Sequence, residues 1–324
     1  MDALYLASPV TLKRHENTIL VVLEDGRKTR FPVESLKHII AAHDVRFNGA
    51  LLGLLKKHDV RVTVLDYYGH VTCTVEPAGE PSSGAVHLKQ AAAILDPERR
   101  LAVGKSIIAA ALRSLAANLR YHAYRGCEEI KPTIGEIDGF VDQVKRTEDI
   151  QALMGWEGQA RLSYYAAWEH INPALALRRR TRRPPGDRIN CLLSFLNGLV
   201  YALCLNEIRK SQLDPTLSFI HSPQQSRHSL SLDLAELFKP ILADRVLFTL
   251  VNRSELKDVH FDETPGACLL SEQGRKHVLT AFSKRIDGDL SGERTYRQRI
   301  LEEVFALQAG LLGVREYVPF TLKV

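Results

Sequence analysis

Cysteine is scarce in this sequence, and the sequence has no hydrophobic run long enough to span a membrane. The longest nearly apolar run, residues 192–205, has 14 residues and includes Ser194 and Asn197. A membrane-spanning helix needs about 18 to 20 apolar residues, so this run predicts the core helix of a cytosolic protein. The five cysteines are odd in number and widely scattered, with no Cys-x-x-Cys pair, which argues against a disulfide framework or a zinc site: Cys73, Cys127, Cys191, Cys204 and Cys268.

Two functional patterns are also missing. The first ten residues contain no basic segment followed by an apolar stretch, so they predict a strand and not a signal peptide. No Gly-x-x-x-x-Gly-Lys-Ser/Thr loop occurs, which disfavours a motor driven by nucleotide hydrolysis. With 45% hydrophobic and 25% charged residues, the composition is that of a soluble globular protein and excludes the disordered and fibrous classes.

The first 76 residues are rich in strand formers, and later residues follow a helical period. Asp25-Gly26 between two short runs is a strong hairpin signal. We predict strands at 3–7, 18–23, 28–31, 60–66 and 71–75, with short helices or turns at 32–40 and 48–58. The fold class is therefore α+β, with a small β-rich N-terminal domain (1–76), a linker rich in proline, glycine and serine (77–87), and a larger all-α domain (88–324).

The net charge of +5 is concentrated in one segment. Residues 178–188 hold six arginines against a single aspartate, so this segment alone carries +5. A solvated loop is the simplest interpretation of such a run. Arginine without lysine favours phosphate contact instead, because the guanidinium fork matches phosphate oxygens. The predicted DNA-binding residues are Arg178, Arg179, Arg180, Arg182, Arg183 and Arg188.

Glu157 occupies a position where a helical pattern calls for an apolar side chain. Spacings of three and four residues place it on one stripe with Leu153, Arg161, Tyr164 and Trp168, so its carboxylate points inward. A buried carboxylate is costly unless a cation meets it. An ion pair with Arg161 one turn later would suffice, and a divalent metal is the alternative.

Two further segments carry candidate ligands. His221 follows an apolar run and precedes Ser-Pro, as in a chain that leaves the core and turns. Asp233 and Glu236, three residues apart, are neighbours on one helix face. Each of these residues alone fits an ordinary structural role. One imidazole with two or three carboxylates also suits Mn²⁺ or Mg²⁺ better than structural zinc.

Four motifs in order resemble the CRISPR-associated adaptation integrase, the larger of the two core spacer-acquisition proteins. They are Met154-Gly-x-Glu157-Gly-x-Ala-Arg-x-x-Tyr-Tyr165, Arg183-Pro-Pro-x-Asp-x-x-Asn-x-Leu-Leu-Ser-Phe195, His221-Ser, and Leu230-x-Leu-Asp233-Leu-x-Glu236-x-Phe-x-Pro240. The resemblance covers nearly the whole chain. It implies a metal-dependent DNA endonuclease and integrase of antiviral defence that acts as a homodimer, with dimers joined by the small ferredoxin-like second adaptation protein.

The resemblance also implies roles for individual residues. Glu157, His221 and Glu236 fall on the catalytic metal-ligand positions, and Asp233 matches a second acidic position that is either a ligand or a supporting group. Tyr165 and Asn190 match positions near the active site, and Arg161 would help to orient Glu157. These assignments predict a cytoplasmic enzyme that uses Mg²⁺ or Mn²⁺ to insert spacers into the CRISPR array.

Two other hypotheses fit the same residues. A non-catalytic DNA-binding scaffold would use the arginine run alone, and Glu157→Ala would then leave its activity intact. A metal-dependent nuclease of another pathway, such as repair, would use the same site on a different substrate.

Overall fold

The computed structural model describes residues 3–77, 82–222, 228–288 and 294–322. The strands of these residues are β1 Ala3–Leu6, β2 Val10–His15, β3 Thr18–Leu23, β4 Lys28–Pro32, β5 His38–Ala41, β6 Val45–Arg46, β7 Arg61–Leu65, β8 Val71–Val75, β9 Phe261–Thr264 and β10 Ala267–Leu270. The helices are α1 Gly49–Lys57, α2 Gly84–Leu95, α3 Pro97–Tyr124, α4 Lys131–Arg146, α5 Ile150–Ala166, α6 Trp168–Ile171, α7 Arg188–Ile208, α8 Ser229–Lys239, α9 Arg245–Asn252, α10 Glu272–Ile286 and α11 Tyr296–Leu311.

Two four-stranded sheets form the strand-rich N-terminal region. One has the order β1-β5-β7-β8 and the other the order β4-β3-β2-β6. The predicted Asp25-Gly26 turn joins β3 to β4, with Gly26 at φ 83°, a conformation that glycine adopts without strain. Apolar side chains from both sheets, including Leu12, Ile19 and Ile39, share one core. The predicted fold class, β-rich first and mostly helical afterwards, is confirmed.

The expectation of a short helix or turn across residues 32–40 is wrong in its second half. Only Val33–Ser35 forms a short 3-10 turn, and the next residues form β5. This strand lies between β1 and β7 and is parallel to both. All four of its residues are buried and three of them are apolar, as in a central parallel strand, so the strand gives no alternating signal.

The helical region follows the predicted periods closely. Helices α5, α7 and α8 coincide with the helices predicted around Glu157, across residues 192–205 and around Asp233 and Glu236, and Asp187 accepts a hydrogen bond from the backbone of Asn190 at 2.8 Å, as a helix cap does. Helix α7 is long and apolar enough to cross a membrane by length and composition, but 89% of its apolar window is buried inside the protein. It is the predicted core helix. The sequence did not predict α2, α9 or the β9–β10 hairpin.

Contacts divide the chain into two compact units. The first comprises Met1–Glu80, Thr181–Ala202 and Leu256–Ser283, and the second comprises Pro81–Arg180, Leu203–Glu255 and Lys284–Val324. The domain boundaries expected from composition, at residues 76 and 88, stay a prediction. Residues 78–81 of the expected linker lie outside the described residues.

Two glycines allow a close backbone contact inside the first unit. Gly69, at φ 85° in the turn between β7 and β8, lies against the part of α7 that contains Phe195 and Gly198. A Cβ atom on Gly69 would lie 2.7 Å from the Cα atom of Phe195, and one on Gly198 would overlap the carbonyl oxygen of Gly69. Only glycine fits at position 198 unless the backbone moves.

Gly198→Ala should therefore lower the free energy of unfolding by about 3 kcal/mol, because the turn must shift away from the helix. Gly139→Ala is the matched control, since a Cβ atom there meets nothing within 4 Å on the exposed side of α4. Chemical denaturation of both variants measures the difference. Equal stability of the two variants would contradict the close contact.

Candidate functional site

Helix α5 carries the central carboxylate of the site. The Asp149 side chain caps its first turn by accepting a 2.7 Å hydrogen bond from the backbone N–H of Ala152. Leu153 and Tyr164 on its inner face are fully buried, as the helical stripe predicted. Glu157 lies between them along the same stripe, and its side chain is only 21% exposed.

Arg161 connects Glu157 to a second carboxylate on another helix. Its Nε atom donates to Glu157, and its Nη2 atom donates to Glu236 of α8. Lys239, one turn after Glu236, donates to the other oxygen of that carboxylate. Two carboxylates and two cations therefore form one connected and largely buried network.

Glu236 is ionised in this environment. Burial alone would raise the pKa of its carboxyl group, but the adjacent charges of Arg161 and Lys239 more than offset this effect. The pKa of Glu236 is consequently lowered to about 2. The same carboxylates raise the pKa of Arg161 well above its usual value, although burial opposes them.

A π-helical turn, Pro240–Asp244, brings a third acid to this network. It follows α8 directly, at the proline that interrupts the helical pattern. Asp244 is 1% exposed, and within the described residues its Oδ2 atom has no hydrogen-bond partner. Burial raises the pKa of Asp244 to about 6, against the opposing charge of Arg161 and a hydrogen bond with Tyr164.

Asp233 holds the loop that carries His221. Its carboxylate is fully buried and accepts hydrogen bonds from three successive backbone N–H groups, those of Phe219, Ile220 and His221, at 2.6, 3.0 and 3.1 Å. It also lies 2.8 Å from Nδ1 of the His221 ring. Both carboxylate oxygens of Asp233 are engaged in fixing this loop.

The contact with Asp233 determines the tautomer of His221. Because a carboxylate only accepts hydrogen bonds, Nδ1 must carry the proton, which leaves the lone pair on Nε2 in the neutral ring. Carboxylate-bound histidines of this kind are frequent metal ligands. His221 lies near enough to Glu236 for the two side chains to interact electrostatically.

The structure places the other predicted residues as follows. Tyr165 packs edge-on against Trp168, with ring centroids 4.9 Å apart, and the charge of Arg161 acts on its hydroxyl group. Asn190 belongs to the other compact unit, where it accepts a 2.9 Å hydrogen bond from the backbone of Thr181 and donates to Asp187. That side chain holds the loop that enters α7.

The arginine run is mostly exposed. Arg178, Arg179, Arg182 and Arg183 are exposed, and Arg180 is half-buried. Arg188 differs from them, because its guanidinium group contacts Glu263 at 2.6 Å and Asp258 at 2.8 Å. Its donors are already engaged by carboxylates, so it is less available for phosphate.

The residues present fit a divalent metal by their chemistry. Glu157 and Glu236 supply carboxylate oxygens, and the neutral His221 ring supplies a nitrogen lone pair, a donor set suited to Mg²⁺ or Mn²⁺. Within the described ranges, no three His, Cys, Asp or Glu side chains are grouped as ligands, and Arg161 lies between the two glutamates. The metal assignment of Glu157, His221 and Glu236 therefore stays a prediction.

A comparison with known families identifies the chain. A model of the family described as CRISPR associated protein Cas1 matches residues 4–284. The chain belongs to the Cas1 family. It is 36% identical to the CRISPR-associated endonuclease Cas1 of Haloferax volcanii over 314 residues, which cover 94% of each chain. The resemblance seen in the four sequence motifs is confirmed.

Solved structures agree with the Cas1 assignment. A Cas1 protein from Thermotoga maritima superposes with a TM-score of 0.86 at 28% identity and covers 99% of this chain and 100% of its own. A casposase bound to integration product also has a TM-score of 0.86, at 22% identity, over 99% of this chain and 93% of its own. The second likeness shows a shared fold.

Sequence reasoning did not single out two residues of the network. Lys239 lies three residues after Glu236 on α8, a spacing at which an ion pair could have been proposed. Helical periodicity could not have placed Asp244 in the network. The π turn that ends at Asp244 does not follow the α-helical period of 3.6 residues per turn. Its position depends on the folded backbone.

Proposed function

We propose that this Cas1 family member is a metal-dependent DNA endonuclease and integrase of CRISPR adaptation. The observation that carries the proposal is the convergence of Glu157 and Glu236 on one guanidinium group, with Asp233 fixing His221 in the metal-binding tautomer nearby. A non-catalytic scaffold has no need for two ionised carboxylates in a largely buried network, which are costly to keep there.

Glu157, Glu236 and the Nε2 atom of His221 would hold the metal, Mg²⁺ or Mn²⁺. When bound, such an ion neutralises charge on the phosphate and stabilises the attacking or leaving oxygen. Asp233 keeps the His221 ring in place and its Nδ1 atom protonated. Glu236, ionised by its cationic neighbours, is ready to coordinate without first losing a proton.

The reaction that this site would perform is an exchange of phosphodiester bonds. A DNA 3′-hydroxyl attacks a phosphodiester of the CRISPR repeat, one P–O bond forms and another breaks, and the leaving 3′-oxygen takes a proton. The number of phosphodiester bonds is unchanged, so no nucleotide hydrolysis is needed. The chain's own task is to position two DNA segments and the metal ligands.

The partners follow from family membership. Spacer-precursor duplex and CRISPR repeat are the proposed DNA substrates, and the casposase of the same fold was solved with an integration product. We further propose a homodimer joined to the small ferredoxin-like second adaptation protein. The proposed location is the cytoplasm, where antiviral spacer acquisition has access to the array.

Strand transfer of a short duplex into a repeat-containing plasmid tests the function. We expect joined product with Mg²⁺ or Mn²⁺ and none with EDTA. A duplex with 3′-dideoxy ends is the matched control, because it lacks the attacking hydroxyl and should give no joining. Cleavage without joining would favour the alternative, a metal-dependent nuclease of a repair pathway.

The arginine run gives a separate prediction about DNA affinity. Replacing Arg179, Arg180, Arg182 and Arg183 with alanine should weaken binding equally for all sequences, since these side chains would contact phosphates. The slope of log affinity against log salt should become shallower by up to about 3.6, since each phosphate contact contributes about 0.9. A control variant lacking Lys13, Arg14, Lys56 and Lys57, all exposed, removes the same charge from elsewhere. If the salt dependence of DNA affinity had the same slope in both variants, the arginine run would be excluded as the DNA contact.

A further inference from the structure

The site contains more positive charge than metal ligation requires. Arg161 donates to both glutamates that the proposed metal would need, and Lys239 donates to one of them. The two carboxylates are thus balanced by two cations. This inference rests on the proposed function, because it concerns how a metal would enter that same site.

A divalent ion cannot simply be added to this arrangement. It would add two positive charges among side chains that are mostly shielded from water, and Arg161 itself is 13% exposed. A carboxylate oxygen that binds the ion shares its electron density with the metal and becomes a weaker acceptor for the guanidinium group. Metal binding therefore weakens the hold of Arg161 on its two carboxylates.

Asp244 is an acid of this network that has no task assigned so far. Its Oδ2 atom is buried and has no hydrogen-bond partner within the described part of the chain, which is an unusual state for a buried oxygen. Arg161 and Asp244 already interact electrostatically. The groups that act on the pKa of Asp244 are Arg161, Tyr164, Lys239 and Glu236, and of these Arg161 and Lys239 carry positive charge.

We propose that Arg161 is a resident counter-ion that competes with the divalent metal for Glu157 and Glu236, and that Asp244 accepts the guanidinium group when the metal binds. Arg161 is then a positioning residue with two states. In one state it neutralises Glu157 and Glu236, and in the other it is held by Asp244 beside the bound ion.

Competition with the metal and simple orientation of Glu157 predict opposite changes in metal affinity when Arg161 is replaced. If Arg161 only orients Glu157 for the metal, removing the guanidinium group weakens metal binding. If Arg161 competes with the metal, removing it tightens binding. The readout is metal affinity in the absence of DNA, so it does not depend on turnover.

Mn²⁺ binding to the full-length protein, followed by electron paramagnetic resonance of the free ion, is the test. Arg161→Gln should bind Mn²⁺ about tenfold more tightly than the wild type, because two charge-assisted hydrogen bonds no longer oppose the ion. It should also show a larger rise in Tm on Mn²⁺ addition. Arg161→Lys, which keeps the charge but not the two-pronged fork, should bind a few-fold more tightly and provides a milder second variant.

A double-mutant cycle tests the part played by Asp244. Asp244→Asn should weaken Mn²⁺ binding about fivefold in the wild-type background, since the displaced guanidinium group loses its acceptor. In the Arg161→Gln background it should have a much smaller effect. Equal effects in both backgrounds would show that Asp244 acts on the ion alone and would overturn the pairing.

The outcomes separate this inference from the proposed function. Unchanged or weaker Mn²⁺ binding by the Arg161 variants would overturn the competition, while the metal site would stand. If wild type shows no Mn²⁺ binding that Glu157→Gln abolishes, the metal site itself is wrong and the inference falls with it.

Discussion

Glu157→Gln is expected to lower metal-dependent strand transfer about a thousandfold. The amide keeps the size of the side chain and its place on α5 but removes a negative charge and an oxygen ligand. Loss of several kcal/mol of transition-state stabilisation by a metal corresponds to a factor of this order. The assay is single-turnover joining of a labelled duplex into a repeat-containing plasmid with Mn²⁺.

Glu169→Gln is the matched control for this variant. Glu169 is exposed on α6, the next helix along the chain, and the same chemical change there should leave the rate within about twofold. DNA affinity should be nearly the same in both variants, because the proposed phosphate contacts lie in the arginine run. Activity of Glu157→Gln equal to that of the control would favour the non-catalytic scaffold.

Asp233→Ala is expected to reduce both stability and activity severely. The variant loses four hydrogen bonds to a buried carboxylate and leaves the N–H groups of Phe219 and Ile220 without their acceptor. We expect the free energy of unfolding to fall by about 3 to 5 kcal/mol. The loop would no longer hold the His221 ring, so strand transfer should fall at least a hundredfold even at temperatures where the variant is folded.

Asp138→Ala provides the comparison for the stability effect. Asp138 also accepts a hydrogen bond, from the side chain of Arg120, but on the surface, where both side chains are more than 40% exposed. Removing such a pair changes stability by at most about 1 kcal/mol. Urea denaturation of both variants measures the difference, and equal losses would mean that Asp233 is not the anchor of the His221 loop.

Much of the helical part of this site could be predicted from local pattern. The stripe containing Leu153, Glu157 and Tyr164 required an inward-facing carboxylate, and the structure shows it between buried neighbours. The ion pair with Arg161 was the simpler of the two interpretations of Glu157. The structure contains that ion pair. It also shows that Arg161 donates a second hydrogen bond to Glu236 on another helix.

Other features depended on contacts that no local pattern encodes. Asp233 and Glu236 share one helix face in the sequence, yet the carboxylate of Asp233 fixes the His221 loop whereas Glu236 joins Arg161. Strand β5 was missed because burial on both sides removes the alternation that marks a strand. Asp244 reaches the network only through a π turn, which a period of 3.6 residues cannot anticipate.

The most direct test of the account is the position of a bound ion. Crystals of the protein soaked in Mn²⁺ and measured at the manganese edge should show one anomalous peak coordinated by Glu157, Glu236 and the Nε2 atom of His221. Arg161 should have moved off at least one glutamate. A peak held by other side chains, or none beside Glu157 at saturating Mn²⁺, would contradict the proposed metal centre.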